Sequence, residues 1–364
     1  MIHLSVIKPF RVFNGKVENK STRAFGGVAS GICDWDDLKY PALLQINKEM
    51  FSEYWIEDEI RLGEDIKDYR QKLTDDERYA FNIVTGYLTQ LDSIANRFNF
   101  LLGYLTTDPS IAGCIQLIAS FEGLHNRSYQ YLTSTMLNDT EKKQAFNAPK
   151  EIPKLMKRNQ IIISKIQNFV DYVEDVMAGK SKEEESKFFQ LLYEALLAYI
   201  ILEGLFFSGG FVYFHSLARD NKMIGSNNMI NLIKKDETQH NVFYGLVMQI
   251  LMLENPILNI QENYDYAVKF IKECVDAEKD WANEIFSNIE TMSIKEYTDY
   301  IEYLANVICR NAGLNDIYTD NKEVKSKWIL NYGEKNGEHR ATKADFFQTN
   351  VINYSHEGGE GFDL

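Results

Sequence analysis

An all-α bundle of long helices is the fold this sequence predicts, and three observations predict it. The 364 residues contain only 6 prolines. From about residue 40 to about 310, apolar side chains recur at steps of three and four. No convincing run of alternating apolar and polar residues competes with that pattern. A chain of this length can also enclose a sizeable core.

Taken in order, residues 1–35 are mixed, with Gly26-Gly27 and Gly31, and read as an N-terminal arm. Residues 36–315 are the helical domain. Thr74-Asp75-Asp76-Glu77 is a capping-box signature that opens a helix running to about Phe100. Asp108-Pro109 supplies an N-cap and a first-turn proline for a helix to about Leu137. A charged helix follows from Pro153 to about Met177, another spans roughly 183–218, and Ser226 to about Leu253 makes the next. Two more occupy about 262–290 and 294–311, the second opened by Ser293 with Glu296 three residues on. Residues 316–353 are expected to be an irregular extension. Residues 354–364 (YSHEGGEGFDL) carry acids and glycines but no Lys or Arg, which predicts a mobile tail.

Composition narrows the function. With 45% apolar and 25% charged residues the chain is globular, and a net charge of −14 disfavours binding to nucleic-acid phosphates. Cys33, Cys114, Cys274 and Cys309 are widely spaced with no CxxC pair, so neither a thiolate zinc site nor a disulfide framework is expected, and a reducing cytoplasm is the natural compartment. The start, MIHLSVIKPFRVF, does not resemble a secretory signal. Residues 195–214 are almost wholly apolar, with Glu203 near the middle. Because charged helical sequence precedes them, a buried helix is expected there and no membrane span.

The informative residues are acids and histidines inside apolar stripes. Ile233, Glu237, His240, Tyr244, Val247 and Leu251 fall on one helix face, and so do Ile115, Ile118, Glu122, His125, Tyr129 and Leu132. Asp92 lies between Leu88, Leu91 and Ala95, and Glu203 between Tyr199, Ile200, Phe206 and Phe207. Buried carboxylates must be compensated. Basic residues are missing from these faces, and none at all occurs between Lys187 and Arg219. Two divalent cations would balance the four carboxylates, with neutral His125 and His240 completing the shells. Chance alone gives about one Glu/Asp-x-x-His pair in a chain with 53 acids and 6 histidines, so the pairs themselves decide nothing. Two helices bearing Glu-x-x-His and two bearing one acid each, all on core faces, form the di-metal carboxylate constellation of ferritin-like bundles. The bland alternative is a set of hydrogen-bonded core acids and histidines. Hard carboxylates with one imidazole per metal suit iron or manganese.

Neighbouring residues carry weaker signals. Tyr129 follows Glu122 by about two helical turns and His125 by about one, so it is placed to lose an electron to an oxidised cluster; an ordinary core tyrosine is the alternative. Phe206, Phe207, Phe211 and Ile233 could line a dry pocket or simply fill the core. Asp236 is turned away from the Glu237 face and could either orient a metal-bound histidine or sit in solvent.

Together, Gln90-Leu91-Asp92-Ser93-Ile94, Glu122 to His125 and Tyr129, Glu203 in LEGLFFSGGF, Asp236-Glu237-Thr238-Gln239-His240, Glu278-Lys279-Asp280-Trp281 and YIEYLANVICRNAGL resemble the small, radical-generating subunit of class I ribonucleotide reductase, closest to the class Ia branch. The similarity covers about 40–315 and the character of the tail. The resemblance implies a cytoplasmic homodimer that works with a large catalytic subunit in ribonucleoside-diphosphate reduction, with two iron ions per chain or manganese in their place. It implies that Asp92, Glu122 and His125 serve one metal and Glu203 and His240 the other, with Glu122 and Glu237 bridging. Tyr129 would carry a stable radical, shielded by Phe207, Phe211 and Ile233. His125, Asp236 and Trp55 would lead the oxidising equivalent outward, and Tyr354 in the tail would hand it to the large subunit, on which the last residues dock. A phenylalanine at 129 would have indicated the branch that stores its oxidant on a mixed manganese–iron cluster. Two other readings keep the bundle: an O₂-activating di-iron oxidase or hydroxylase, and a metal store or plain scaffold.

Overall fold

Capping chemistry sets the ends of the long helices in the computed structural model, which describes residues 6, 7, 13, 15–28 and 31–334. The short helices α1 (Pro41–Ser52) and α2 (Gly63–Gln71) come first. In α3 (Asp75–Leu105) the capping box is complete: the Glu77 amide donates to Thr74 Oγ1 and the Thr74 amide donates to the Glu77 carboxylate. Asp108 accepts from the Ser110 and Ile111 amides to open α4 (Pro109–Met136). Next come α5 (Asp139–Glu151), α6 (Pro153–Met177) and α7 (Glu185–Ile201). A π-helical turn, Leu202–Phe207, joins α7 to α8 (Ser208–Arg219). The chain continues through α9 (Ile224–Glu254), α10 (Gln261–Phe286), α11 (Ile294–Asn311) and α12 (Lys327–Glu334).

Four rods face one another at the centre: α3, α4, the continuous rod from α7 through the π turn to α8, and α9. This is the expected ferritin-like arrangement of long helices. The remaining helices wrap it, α1 and α2 over α4 and α9, α5 and α6 over α3 and α7, and α10 and α11 over the far side. The rod Glu185–Arg219 is long and apolar enough to cross a membrane, yet 89% of its most apolar window is buried inside the protein. It is the inner helix of the bundle, as the sequence leads one to expect.

Several features differ from the expectation. The helix foreseen over 183–218 is interrupted by the π turn. Helix α9 starts at Ile224, not Ser226, because the acceptor for its first amides comes from another element: Asp65 of α2 takes the Gly225 amide at 3.0 Å and the Ser226 amide at 2.6 Å. Helices α1, α2 and α5 were not resolved individually from the pattern. The extension 316–353 is not irregular throughout, since α12 forms within its described part. Its eight residues are too few to show a period, and tertiary contacts hold it: Ile329 is fully buried, Trp328 Nε1 donates to Glu296, and the Arg219 guanidinium lies over the Trp328 ring. Arm residues around Ala24 and Phe25 are tied down as well, with the Ala24 amide on Glu254 and the Ala24 carbonyl accepting from Thr107. Tyr354 and the tail 354–364 lie outside the described residues.

Candidate metal centre

All six residues singled out by the sequence come together in the middle of the bundle. Asp92 is supplied by α3, Glu122 and His125 by α4, Glu203 by the π turn, and Glu237 and His240 by α9. None is more than 1% exposed. They form two overlapping groups, Asp92–Glu122–His125–Glu237 and Glu122–Glu203–Glu237–His240, and in each group the candidate donor atoms lie within 4.8 Å of one another.

Two carboxylates are shared. Glu237 presents Oε1 to His125 Nδ1 at 2.9 Å and Oε2 to His240 Nδ1 at 3.1 Å. Glu122 presents Oε1 to His240 Nδ1 at 3.3 Å and Oε2 toward His125 Nδ1 at 4.0 Å. Each of these acids therefore turns one oxygen toward each histidine. Asp92 stands at one end and Glu203 at the other, 3.6 Å from His240 Nδ1.

The donor set fits a pair of hard divalent cations. Among the described residues, nothing donates a hydrogen bond to either Asp92 carboxylate oxygen, to Glu203 Oε1 or to Glu122 Oε2, although all are buried. Buried polar atoms are normally satisfied, so a cluster of orphans facing one point calls for an ion. Among the described residues, these acids pair with His125 and His240 and with no Lys or Arg. Electrostatics say the same. Burial and the Glu122 carboxylate push Asp92 well above the ordinary carboxylate range, and burial with Glu237 pushes Glu203 up to about 8. Burial opposes charging of His125, but Glu237 and Asp236 overcome it and hold its pKa well above the ordinary imidazole value. Burial and mutual repulsion thus push Asp92, Glu122 and Glu203 toward their protonated forms, and bound dications would displace those protons.

The surrounding shell has two sides. On one, His125 Nε2 lies 3.0 Å from Asp236 Oδ2, and the same oxygen accepts from Trp55 Nε1 at 2.8 Å. The Trp55 ring is stacked on His125 at 6.2 Å between centroids. Asp236 is therefore not a solvated acid: its side chain is 2% exposed and hydrogen-bonded to His125. On the other side, Tyr199 Oη donates to Glu122 Oε1 at 3.3 Å and accepts from Asn99 Nδ2 at 2.7 Å, while Tyr244 donates to Asn99 Oδ1. Neither Asn99 nor the roles of Tyr199 and Tyr244 were foreseen from the sequence. Their signal was present: each lies one or two helical turns from a cluster acid or histidine, on the same face.

Tyr129 is fully buried, and among the described residues its hydroxyl has no hydrogen-bond partner. Burial and the nearby Asp92 charge raise its pKa well above that of an ordinary phenol. Phe207 and Phe211 stack in parallel, centroids 6.2 Å apart, and both are fully buried, as is Ile233. Phe206 faces away to a different task, beneath the Arg158 guanidinium. Two surface clefts, about 810 Å³ between α6 and α10 and about 880 Å³ along α3, α5 and α6, are lined by none of the six cluster residues.

Sequence comparison agrees with this geometry. The family described as ribonucleotide reductase, small chain, matches residues 32–326. The chain belongs to this family. Among its relatives, the ribonucleoside-diphosphate reductase subunit beta of Halalkalibacterium halodurans is 29% identical over 97% of both chains. The corresponding subunit of Treponema pallidum is 27% identical over 99% of both. The solved ribonucleotide reductase R2 subunit from Clostridium botulinum, 25% identical, superposes with a TM-score of 0.81 over 90% of this chain and 99% of its own. The dimanganese(II)-NrdF structure of Streptococcus sanguinis, 20% identical, shares the fold with a TM-score of 0.68 over 82% of this chain and 98% of its own. As a reductase small chain, the molecule is one component of an oxidoreductase and implies a large partner subunit.

Proposed function

We propose that the chain is the radical-generating small subunit of a ribonucleoside-diphosphate reductase, working in the cytoplasm as a homodimer with a large catalytic subunit. Asp92, Glu122, His125, Glu203, Glu237 and His240 hold two metal ions, iron being the first choice and manganese the second. When bound and reduced, that metal pair supplies the oxidising power by reacting with an oxygen species. Tyr129 is the residue that would be oxidised by that metal pair: it would yield one electron to it, lose its phenolic proton and remain as a neutral phenoxyl radical.

The observation that carries this reading is the Tyr129 hydroxyl, buried beside the acid cluster with no hydrogen-bond partner among the described residues. A phenoxyl radical without a donor or solvent around it has few routes to reduction, and Phe207, Phe211 and Ile233 keep its surroundings apolar. Export of the oxidising equivalent follows His125, Asp236 and Trp55, where the Asp236 carboxylate accepts from the indole and fixes the imidazole at once. Tyr354 and the tail 354–364 pass it to the large subunit. An oxidase or hydroxylase would instead need a substrate cavity beside the cluster, and the two large clefts lie elsewhere.

Loading the metal-free protein with ferrous iron and O₂, or with manganese and an oxygen-derived oxidant, is expected to give a tyrosyl signal in electron paramagnetic resonance. Tyr129→Phe removes that signal while metal content stays near two per chain. The same radical in the variant would refute the assignment of Tyr129.

A further inference from the structure

Glu203 is the only one of the four cluster acids that does not sit on a regular α-helix; it lies inside the π turn Leu202–Phe207. A π turn widens the helix by one residue and rotates all that follows, at a cost in hydrogen-bond geometry, so it persists where something outside the helix holds it. Its own sequence, LEGLFF, contains no proline to force it. The cause is tertiary, and two side chains supply it.

Asn241, the residue after His240, donates from Nδ2 to the Ile200 carbonyl at 2.7 Å, just before the turn. Its other amide atom accepts from Asn311 at 2.5 Å, which fixes its orientation. Arg158 of α6 donates from Nη2 to the Phe206 carbonyl at 3.0 Å, near the end of the turn, and its guanidinium lies 3.9 Å above the Phe206 ring. Arg158 is fully buried and paired with the equally buried Glu278, which in turn accepts from Tyr297 Oη at 2.5 Å.

The glycines record the same register. A Cβ at Gly204 would stand 2.5 Å from Asn241 Nδ2, one at Gly209 2.6 Å from Glu278 Oε1, and one at Gly210 2.3 Å from Tyr87 Oη. If the turn relaxed to α-helix, the rod beyond it would rotate by about 100° relative to the part before it. A side chain, Ser208 or Phe211 according to the sense of the shift, would then meet Glu278 or Tyr87 at a place where only glycine fits.

We propose that Asn241 and Arg158 are positioning residues: they clamp the two ends of the π turn and so fix Glu203 toward His240. The inference rests on the six-residue metal set of the proposed function and concerns one half of it, the Glu203–His240 half. The clamp leaves the Asp92–His125 half alone.

The test is titration of the metal-free full-length protein with Mn(II), reading free Mn(II) by its paramagnetic resonance. Wild type is expected to bind two ions per chain. In Asn241→Leu the weaker ion is expected to lose roughly tenfold or more in affinity while the first changes by less than about twofold, the range seen when groups that orient ligands are removed. A role in general stability alone would weaken both ions together, and that result, or two ions bound as in wild type, overturns the proposal. Arg158→Met combined with Glu278→Leu, which leaves no buried charge unpaired, is expected to reproduce the selective loss. Hydrogen exchange on the unmodified metal-free protein decides the matter even if both variants fail to fold. Amides of the π turn should exchange as slowly as those of α7 and α8, and faster exchange there refutes the clamp. Failure of wild type to bind two ions would instead strike the proposed function.

Discussion

Asp92, Glu122, Glu203 and Glu237 stand out in the sequence because an acid on an apolar face is expensive, and the expense flags it. The same argument finds His125 and His240 as their companions. It does not find Asn99 or Asn241. A neutral amide in a helix stripe raises no comparable alarm, and its meaning appears only when the carbonyl or phenol it serves comes from another helix, as Ile200 and Tyr199 do here. Arg158 escaped for the opposite reason: it lies in a helix dense with lysines, where one more base reads as solvated, yet it is fully buried. Among the cluster residues, His240 makes the clearest single test. Its Nδ1 faces three carboxylates within 3.6 Å, so His240→Ala should lower bound metal from two toward one per chain by elemental analysis. Unchanged metal content would remove His240 from the donor set.

Whole helices were legible wherever the signal was local. Thr74 and Asp108 cap α3 and α4 as their sequences foretell, and the mid-chain apolar stretch is the inner rod. Elements decided at a distance were not. Helix α9 takes its cap from Asp65, and the π turn owes its shape to α6 and α9. Helix α12 is a further case, because it closes over His215 of α8. His215 is fully buried, hydrogen-bonded through Nδ1 to Asn227 at 2.7 Å, and Asn227 in turn donates to the Tyr332 carbonyl of α12. Burial, helped by the Lys234 charge, drives the His215 pKa down to about 3. Between the ordinary imidazole value near 6.5 and that value, the unfolded chain binds a proton that the folded chain refuses. The stability supplied by neutral His215 is therefore complete above about pH 6.5 and is lost as pH falls toward 3. His215→Leu should make the loss of stability between pH 6.5 and 4.5 shallower than in wild type by about 1 kcal/mol per pH unit, measured by urea unfolding. Parallel curves would mean that His215 is not held neutral by the fold.

At the scale of the molecule, an acidic bundle with a buried acid–histidine cluster at its centre is one component of a two-subunit reductase. In the proposed function the oxidising equivalent is made where water cannot reach and used on another subunit, which requires both a sealed core and an outlet. Residues 354–364 are proposed as that outlet. Their removal is expected to leave the Tyr129 radical and metal content unchanged and to abolish ribonucleotide reduction in the presence of the large subunit; full turnover after truncation would reject the tail as the docking segment. All of this depends on what neutralises four carboxylates in a dry interior. Anomalous diffraction from a crystal grown with Mn(II) or Fe(II) measures it directly. The account predicts two peaks inside the cluster, one bounded by Asp92 and His125 and the other by Glu203 and His240, with Glu122 and Glu237 reaching both. A cluster without metal under those conditions, its acids satisfied by protons alone, would contradict it.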